Sequence, residues 1–361
     1  MKLPELHIGN HTASIPIVQG GMGVGISLSG LASAVAREGG VGTISAVEIG
    51  MDEPDYRTNK RQANVRALRK EIRRARELCP GGVLGVNIMV AINNFDEMVR
   101  AAVDESIDLL VAGAGLPLSL PQYVMDTSTA AVPIVSSPKA IQLIARRWHK
   151  RYNYCPDAVI VEGPLAGGHL GFSLEQLEHM EEHLLEDIAR GVIEAVKPFE
   201  DKFGRKIPVI AAGGIYDGQD IARFINLGCA GVQMGTRFVA THECDASDAF
   251  KEAFLRSGPE DVVIIKSPVG MPGRAIKNEF IEQAGKKTDK VKCRYNCLKP
   301  CNPRTAPYCI ADALINAKLG HMDKGFAFAG HNAYRIKQIT SVKELMNELV
   351  TEARSCLSTS S

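Results

Sequence analysis

The residue best suited to move a proton is His169, which closes the run Glu162-Gly163-Pro164-Leu165-Ala166-Gly167-Gly168-His169. Two preceding glycines expose a loop rather than pack it, and imidazole titrates near neutrality, so the pattern suits a general acid or base. One histidine among nine is more often incidental, and it is the glycine context that singles this one out. Glu162 opens the same loop. Its carboxylate could hold a cofactor ring, carry a proton, or simply accept a hydrogen bond beneath the loop.

A second set of residues suits phosphate. Ala212-Gly213-Gly214-Ile215 and Gln233-Met234-Gly235-Thr236-Arg237 each follow a short apolar run. Glycine bares backbone N–H groups, Thr236 adds a hydroxyl and Arg237 a charge, which together form the donor set of a phosphate site. Glycine pairs also serve plain tight turns, but two such motifs on successive units favour a ligand. A flavin, a nucleotide or a sugar phosphate would satisfy them. Gln19-Gly20-Gly21-Met22-Gly23 would let a planar ligand approach the backbone, and Asn87 offers an amide that both donates and accepts.

The third set is thiols. Cys293, Cys297, Cys301 and Cys309 form C-x3-C-x3-C-x7-C among Lys292, Arg294, Lys299 and Arg304. Four thiolates so close suit a four-cysteine iron–sulfur cluster, [4Fe-4S], or a structural zinc, and the cations would help keep them deprotonated. The spacing matches neither zinc ribbons nor common ferredoxin runs, so free or redox-paired thiols are the alternative. The other five cysteines are scattered, and an odd total of nine argues against a disulfide scaffold. Two motifs are decoys. His179-Met180-Glu181-Glu182-His183 has the spacing of an inverted zinc-peptidase motif but no third ligand, and GGMGVG (20–25) lacks the last glycine and the acidic residue of a dinucleotide loop.

The elements that must position these residues are legible as well. Short apolar runs recur at Pro16–Gln19, Val41–Ser45, Val83–Met89, Leu109–Ala112, Val132–Ser136, Ala158–Glu162, Val209–Ala212 and Gly231–Met234. Apolar runs without alternation mark strands buried on both faces, and eight of them alternating with helical patterns predict a (β/α)8 TIM barrel. Its active site would then lie in the loops after the strands, where all the glycine motifs fall. Val65, Leu68, Ile72 and Ala75 form one helical stripe, with Arg66, Arg69, Lys70, Arg73 and Arg74 on the other faces. This reads as a solvated outer helix rather than a dock for an acidic partner. Ser173 and Gln176 predict a capping box opening one helix from Leu174 to about Val196. Residues 1–245 are assigned to the barrel. Residues 246–361 are assigned to a mostly helical cap carrying the cysteine insertion, with the final segment packing back on the barrel.

Composition sets the outer bounds. Lys plus Arg number 42 and Asp plus Glu 41, a net charge of +1 that argues against coating nucleic acid or an anionic membrane. With 45% hydrophobic and 23% charged residues, global disorder is excluded. Residues 6–36 carry no Asp, Glu, Lys or Arg, but Pro16 and repeated Gly and Ser make them strand, loop and helix rather than a membrane span. The opening MKLPELHIGN lacks an apolar signal core, so a reducing cytoplasm is expected. A homodimer is compatible with all of this.

Taken in order, Gly20-Gly21-Met22, the Asn87 strand, EGPLAGGH (162–169), AAGGI (211–215) and QMGTRF (233–238) resemble the nitronate monooxygenase (2-nitropropane dioxygenase) family. That family includes the flavin-dependent enoyl-acyl-carrier-protein reductases. The resemblance runs from about residue 14 to 242 and resumes at Gly325–Gly330. It implies an FMN barrel with FMN touching Gly21, Met22, Asn87, Glu162, Gly167, Gly213, Gly214, Gln233, Gly235 and Thr236, and His169 as catalytic base. It implies oxidation of alkyl nitronates or a related small substrate. The alternative is NAD(P)H-dependent reduction of enoyl-thioesters, with acyl carrier protein then a partner, or of quinones; an iron–sulfur centre would favour this. Two departures stand out: Glu162 where many nitronate oxidases have Gln, and His331 where the family usually has Gln. Outside the resemblance, a flavin-free isomerase or lyase acting on a phosphorylated metabolite and a degenerate FMN-binding regulator are the readings of other classes.

Overall fold

A computed structural model describes residues 2–284, 286, 291 and 293–359. Eight parallel strands close into a barrel in chain order: β1 (Ile17–Gln19), β2 (Val41–Ser45), β3 (Val83–Met89), β4 (Leu109–Gly113), β5 (Ala130–Val135), β6 (Val159–Glu162), β7 (Val209–Ala212) and β8 (Gly231–Met234). The runs lack alternation because both faces of each strand are buried. In β4, Leu109 and Val111 fill the barrel interior, while Leu110 and Ala112 pack outward against the helices. An antiparallel hairpin, Leu6–Ile8 with His11–Ala13, lends Leu6, Ile8 and Ala13 to the interior cluster.

The outer shell includes α1 (Ser29–Arg37), α2 (Lys60–Leu78), α3 (Phe95–Asp104), α4 (Pro138–Tyr152), α5 (Leu185–Phe203) and α6 (Gly218–Leu227). Helix α2 buries Leu68, Ile72 and Ala75. Arg66, Lys70, Arg73 and Arg74 are solvent-exposed, as expected of an outer helix, and three of its arginines also pair with the segment 104–108. Arg69 meets Asp104 at 2.6 Å, Arg73 grips Glu105 through two bonds of 2.7 Å, and Arg76 reaches Asp108 at 3.0 Å. This face is tied to its own chain.

The single long helix expected from Leu174 is broken. Ser173 and Gln176 do form a capping box, but it opens only Leu174–Glu178; a 3-10 turn at Met180–Glu182 follows, and α5 starts at Leu185. The first turn is pulled away because Leu177 and Met180 pack with Ala166, Leu170 and Phe172 over the β6 loop.

Beyond residue 245 lie α7 (Asp248–Arg256), α8 (Ile310–Lys318) and α9 (Val342–Thr359). The expectation of helices and loops alone is corrected by an antiparallel hairpin, β9 (Val262–Lys266) and β10 (Pro272–Ile276). The β-branched run Val262-Val263-Ile264-Ile265 favours extended backbone, and Gly270 supplies the turn at φ +84. A two-residue strand, Gly168–His169, pairs with β10 as a third member. Helix α9 buries Leu345, Met346 and Leu349, and its Glu352 accepts from Gly218 N at the start of α6 at 2.9 Å. Among the described residues no helix is long and apolar enough to cross a membrane.

Candidate active site

A cavity of about 280 Å³ opens at the C-terminal ends of the barrel strands. Every glycine motif singled out above reaches it. Gly21 and Met22 follow β1, Asn87 stands on β3, Glu162 ends β6, and Gly167 and His169 lie in the loop beyond. Gly213 and Gly214 follow β7, Gln233 belongs to β8, and Gly235 and Thr236 come just after it.

Three of these positions favour glycine strongly. A Cβ on Gly21 would sit 2.3 Å from the Asn87 Cβ. Gly213 and Gly214 hold φ of +97 and +84 while approaching Ala166 and Leu165, so a side chain there meets both backbone strain and a clash. The Thr236 hydroxyl accepts from Gly330 N at 2.9 Å, fastening the Phe326–Gly330 segment beside the cavity. Arg237 departs from expectation. Its guanidinium turns away, donating to Tyr216 O at 3.1 Å, pairing with Glu348 at 2.8 Å and lying over the Tyr216 ring. The phosphate-type donors are therefore the glycine amides and Thr236, without Arg237.

His169 Nε2 lies 2.8 Å from Ser267 Oγ, and its ring sits 4.9 Å from that of Phe328. Burial pushes its pKa down to about 4, so the ring is neutral at pH 7, with an open lone pair on one nitrogen. The Ser267 hydroxyl can donate or accept, so its bond holds the orientation of the ring in either tautomer. Glu162 faces the cavity with no hydrogen-bond or ion-pair partner among the described residues, and burial alone lifts its carboxyl to about 7. Two groups whose environments drive their pKa values in opposite directions share one cavity.

Sequence reasoning missed three residues here. Ser267 sits in a turn of the β9–β10 hairpin, almost a hundred residues from His169, and no local signal pairs the two. Phe328 comes from the returning segment. Arg274 on β10 is 2% exposed and is described further below. Glu48, another lining residue, takes a left-handed φ of +50 and is held by Lys60 at 2.8 Å and by the Tyr56 hydroxyl.

The cysteines correct the metal expectation. Among the described residues, no group of three or more His, Cys, Asp or Glu side chains is arranged to hold a metal ion. Cys293 is exposed, Cys297 is buried in the cavity wall, and Cys301 and Cys309 are half-buried, all as free thiols. Burial pushes Cys297 up to about 12 and Cys309 up to about 11, and raises Cys301 as well. The expected cations do not reverse this. Lys299 instead donates to Val90 O at 3.1 Å over the Phe95 ring, and Lys292 lies outside the described residues. The segment works as a wall. Asn93 N donates to Cys297 O at 3.0 Å, Lys299 N to Ala91 O at 2.8 Å, and Lys60 Nζ to Tyr295 O at 2.8 Å.

The comparisons agree with this architecture. A family model described as nitronate monooxygenase matches residues 5–352. FabK from Thermotoga maritima is 27% identical, with a TM-score of 0.75 over 96% of this chain and 95% of that one. A nitroalkane oxidase from Streptomyces ansochromogenes shares the fold at 23% identity, with a TM-score of 0.74 over 97% and 98% of the two chains. A probable nitronate monooxygenase of Staphylococcus aureus is 29% identical over 295 residues, 74% of this chain and 77% of that protein. A (3aS,4S,5R,7aS)-5-hydroxy-7a-methyl-1-oxo-octahydro-1H-indene-4-carboxyl-CoA dehydrogenase of Mycobacterium tuberculosis is 28% identical over 268 residues. That match covers 74% of this chain but only 64% of the relative's own length. With a closed eight-stranded barrel, its glycine loops gathered around one cavity, and a family match along almost its whole length, the chain belongs to the nitronate monooxygenase family of oxidoreductases.

Proposed function

We propose that this chain is an FMN-dependent oxidoreductase that oxidises alkyl nitronates or a related small substrate, with His169 as catalytic base. The observation that carries the reading is a neutral, Ser267-held imidazole facing the same cavity as the glycine loops after β7 and β8. The lining fits FMN on its own chemistry. Gly213, Gly214, Gly235 and Thr236 offer phosphate donors at the mouth of the last two strands, where α/β barrels bind phosphate. Gly21, Met22, Asn87, Glu162, Gly167 and Gln233 would hold the rest of the molecule, and the shape at Gly21 leaves no room for a side chain there. FMN, when bound, supplies the two-electron chemistry.

The residues do the remainder. His169 takes the α-proton of a neutral nitroalkane, which leaves the nitronate to be oxidised, or orients the nitro group of a nitronate that arrives already deprotonated, and burial keeps its ring neutral down to about pH 4. Glu162, poised near neutrality, can donate or accept a hydrogen bond. Phe328, Leu298, Ile310 and Leu314 keep water from the reacting end.

A second reading is supported by Glu162 and the apolar wall. Glu is the residue that the enoyl reductases of this family resemble at position 162, and Leu298, Ile310, Ala311 and Leu314 would receive an acyl group. In that case NAD(P)H reduces an enoyl-thioester or a quinone through the same site. Anaerobic mixing with NADH and NADPH, then with nitronate, enoyl-thioester and quinone in turn, separates the two. Nitronate turnover with slow nicotinamide reduction is expected; rapid nicotinamide reduction would move the assignment to the reductase. Purified protein without flavin absorbance would overturn both.

A further inference from the structure

Arg274 has no evident reason to be where it is. It is 2% exposed, among the largest fully buried side chains, and no acidic side chain pairs with it among the described residues. A buried charge without a counter-charge is costly and persists only where hydrogen bonds replace the lost water. Here backbone dipoles do so. Nη1 donates to Pro164 O and to Ala166 O, both at 2.6 Å, and Nη2 lies 3.4 Å from Met180 Sδ. Burial lowers its pKa only to about 10, so the group stays charged at neutral pH.

The two carbonyls belong to the loop that ends in His169. A peptide unit is planar and trans, so its C=O and N–H point in opposite directions. Fixing Ala166 O on the guanidinium therefore aims the Gly167 N–H the other way. Gly167 lines the cavity and Arg274 does not. The carbonyl between the two, Leu165 O, accepts from His331 N at 3.0 Å, so three successive carbonyls are fixed from the cap side. In the sheet Arg274 stands opposite Gly168, and Gly273 stands opposite His169.

We infer that Arg274 is a positioning residue: it holds the peptide planes of the 164–168 loop so that His169 meets Ser267 and the Gly167 N–H is presented to the bound ligand. The inference rests on His169 being the base. It differs from a purely structural role in what it moves. A loosened loop lets water reach the imidazole and lowers turnover, while the rest of the cavity still binds substrate and cofactor.

The test uses full-length Arg274→Gln and Arg274→Lys. Near-UV circular dichroism checks folding, ring-proton NMR reads the His169 titration, flavin content is measured by absorbance, and kcat and KM are separated. Both variants are expected to fold and to retain flavin. In Arg274→Gln the His169 pKa rises from near 4 toward the ordinary imidazole range, and kcat drops at least tenfold with KM within about threefold. Arg274→Lys, keeping the charge but not the forked donor, lies between wild type and Gln. A folded Arg274→Gln with the wild-type His169 titration and kcat overturns the inference. Failure of both variants to fold also overturns it, because the residue is then a core element. If the wild-type protein binds no flavin, the functional reading falls, while the His169 titration still decides the role of Arg274.

Discussion

The two sides of the cavity are built by different rules. On the side of β7, β8 and β1, the lining is largely backbone: Gly213-Gly214 after β7, Gly20-Gly21 after β1 and a single Gly235 after β8, with the Thr236 hydroxyl accepting from Gly330 N as a fastening. On the side of β6, the working groups are side chains brought from far away. His169 meets Ser267 across a separation of 98 residues, and Arg274 reaches Pro164 and Ala166 across 110 and 108. The first side is local and repeats with the βα unit. The second exists only after the cap hairpin has paired with the barrel loop.

That contrast predicts which substitutions separate chemistry from binding. The largest effect is expected from His169→Asn, with kcat down about 10²- to 10⁴-fold and flavin content unchanged; full turnover in this variant would remove the base from the reading. Gly213→Val comes next. A β-branched residue at φ +97 meets backbone strain of about 1–3 kcal/mol and the nearby Ala166, so FMN affinity should fall about tenfold or more by titration, with the His169 titration unchanged. Unaltered FMN affinity would show that the glycine side is not the cofactor side. Ser267→Ala should lower kcat by roughly tenfold with little change in KM, since only the hydrogen bond that orients the imidazole is lost.

A subtler effect lies in the pH dependence of stability. His169 titrates at about 4 when folded against an ordinary 6.5, so the unfolded chain holds the extra proton and stability falls as pH drops from about 6.5 to about 4. Glu162 titrates at about 7 when folded against an ordinary 4.5, so its contribution is complete below about 4.5 and is lost as pH rises through about 7. The two oppose each other between about 4.5 and 6.5. Glu162→Gln is expected to unmask a loss of stability on acidification across that window, read by urea unfolding at several pH values. A flat profile in the variant would contradict the burial of His169. The smallest effect is expected from Cys297→Ser, with kcat within about threefold and iron and zinc content unchanged. A stoichiometric metal lost on substitution would restore a centre at those cysteines.

The same contrast explains what the sequence discloses. Strand runs such as Val41–Ser45 and Val209–Ala212 coincide with the structure because barrel strands are buried on both faces and need unbroken apolar residues. The glycine loops are equally legible, since a left-handed φ or a close approach leaves little choice of residue. His169 stands out through the glycines before it. Ser267, Phe328 and Arg274 carry no such mark, because their selection depends on partners distant in the chain. Residues 262–276 show how this happens: the β-branched run is there and pairs with Pro272–Ile276, but the other partner of that second strand is the two-residue strand Gly168–His169, too short to advertise itself. The cysteine quartet misled in the opposite direction, since close spacing in sequence did not become, among the described residues, an arrangement of three or more side chains able to hold a metal ion.

The pairing of that short strand has a mechanical consequence. Leu170 N donates to Pro272 O at 2.9 Å, and His169 and Gly168 stand opposite Gly273 and Arg274, so the cap hairpin and the His169 loop share one hydrogen-bonded ladder. Withdrawing the hairpin would break the ladder at His169 itself. Amide exchange should accordingly report a single opening event: Leu170 and the β9–β10 amides exchanging with one free energy, distinct from that of the barrel strands.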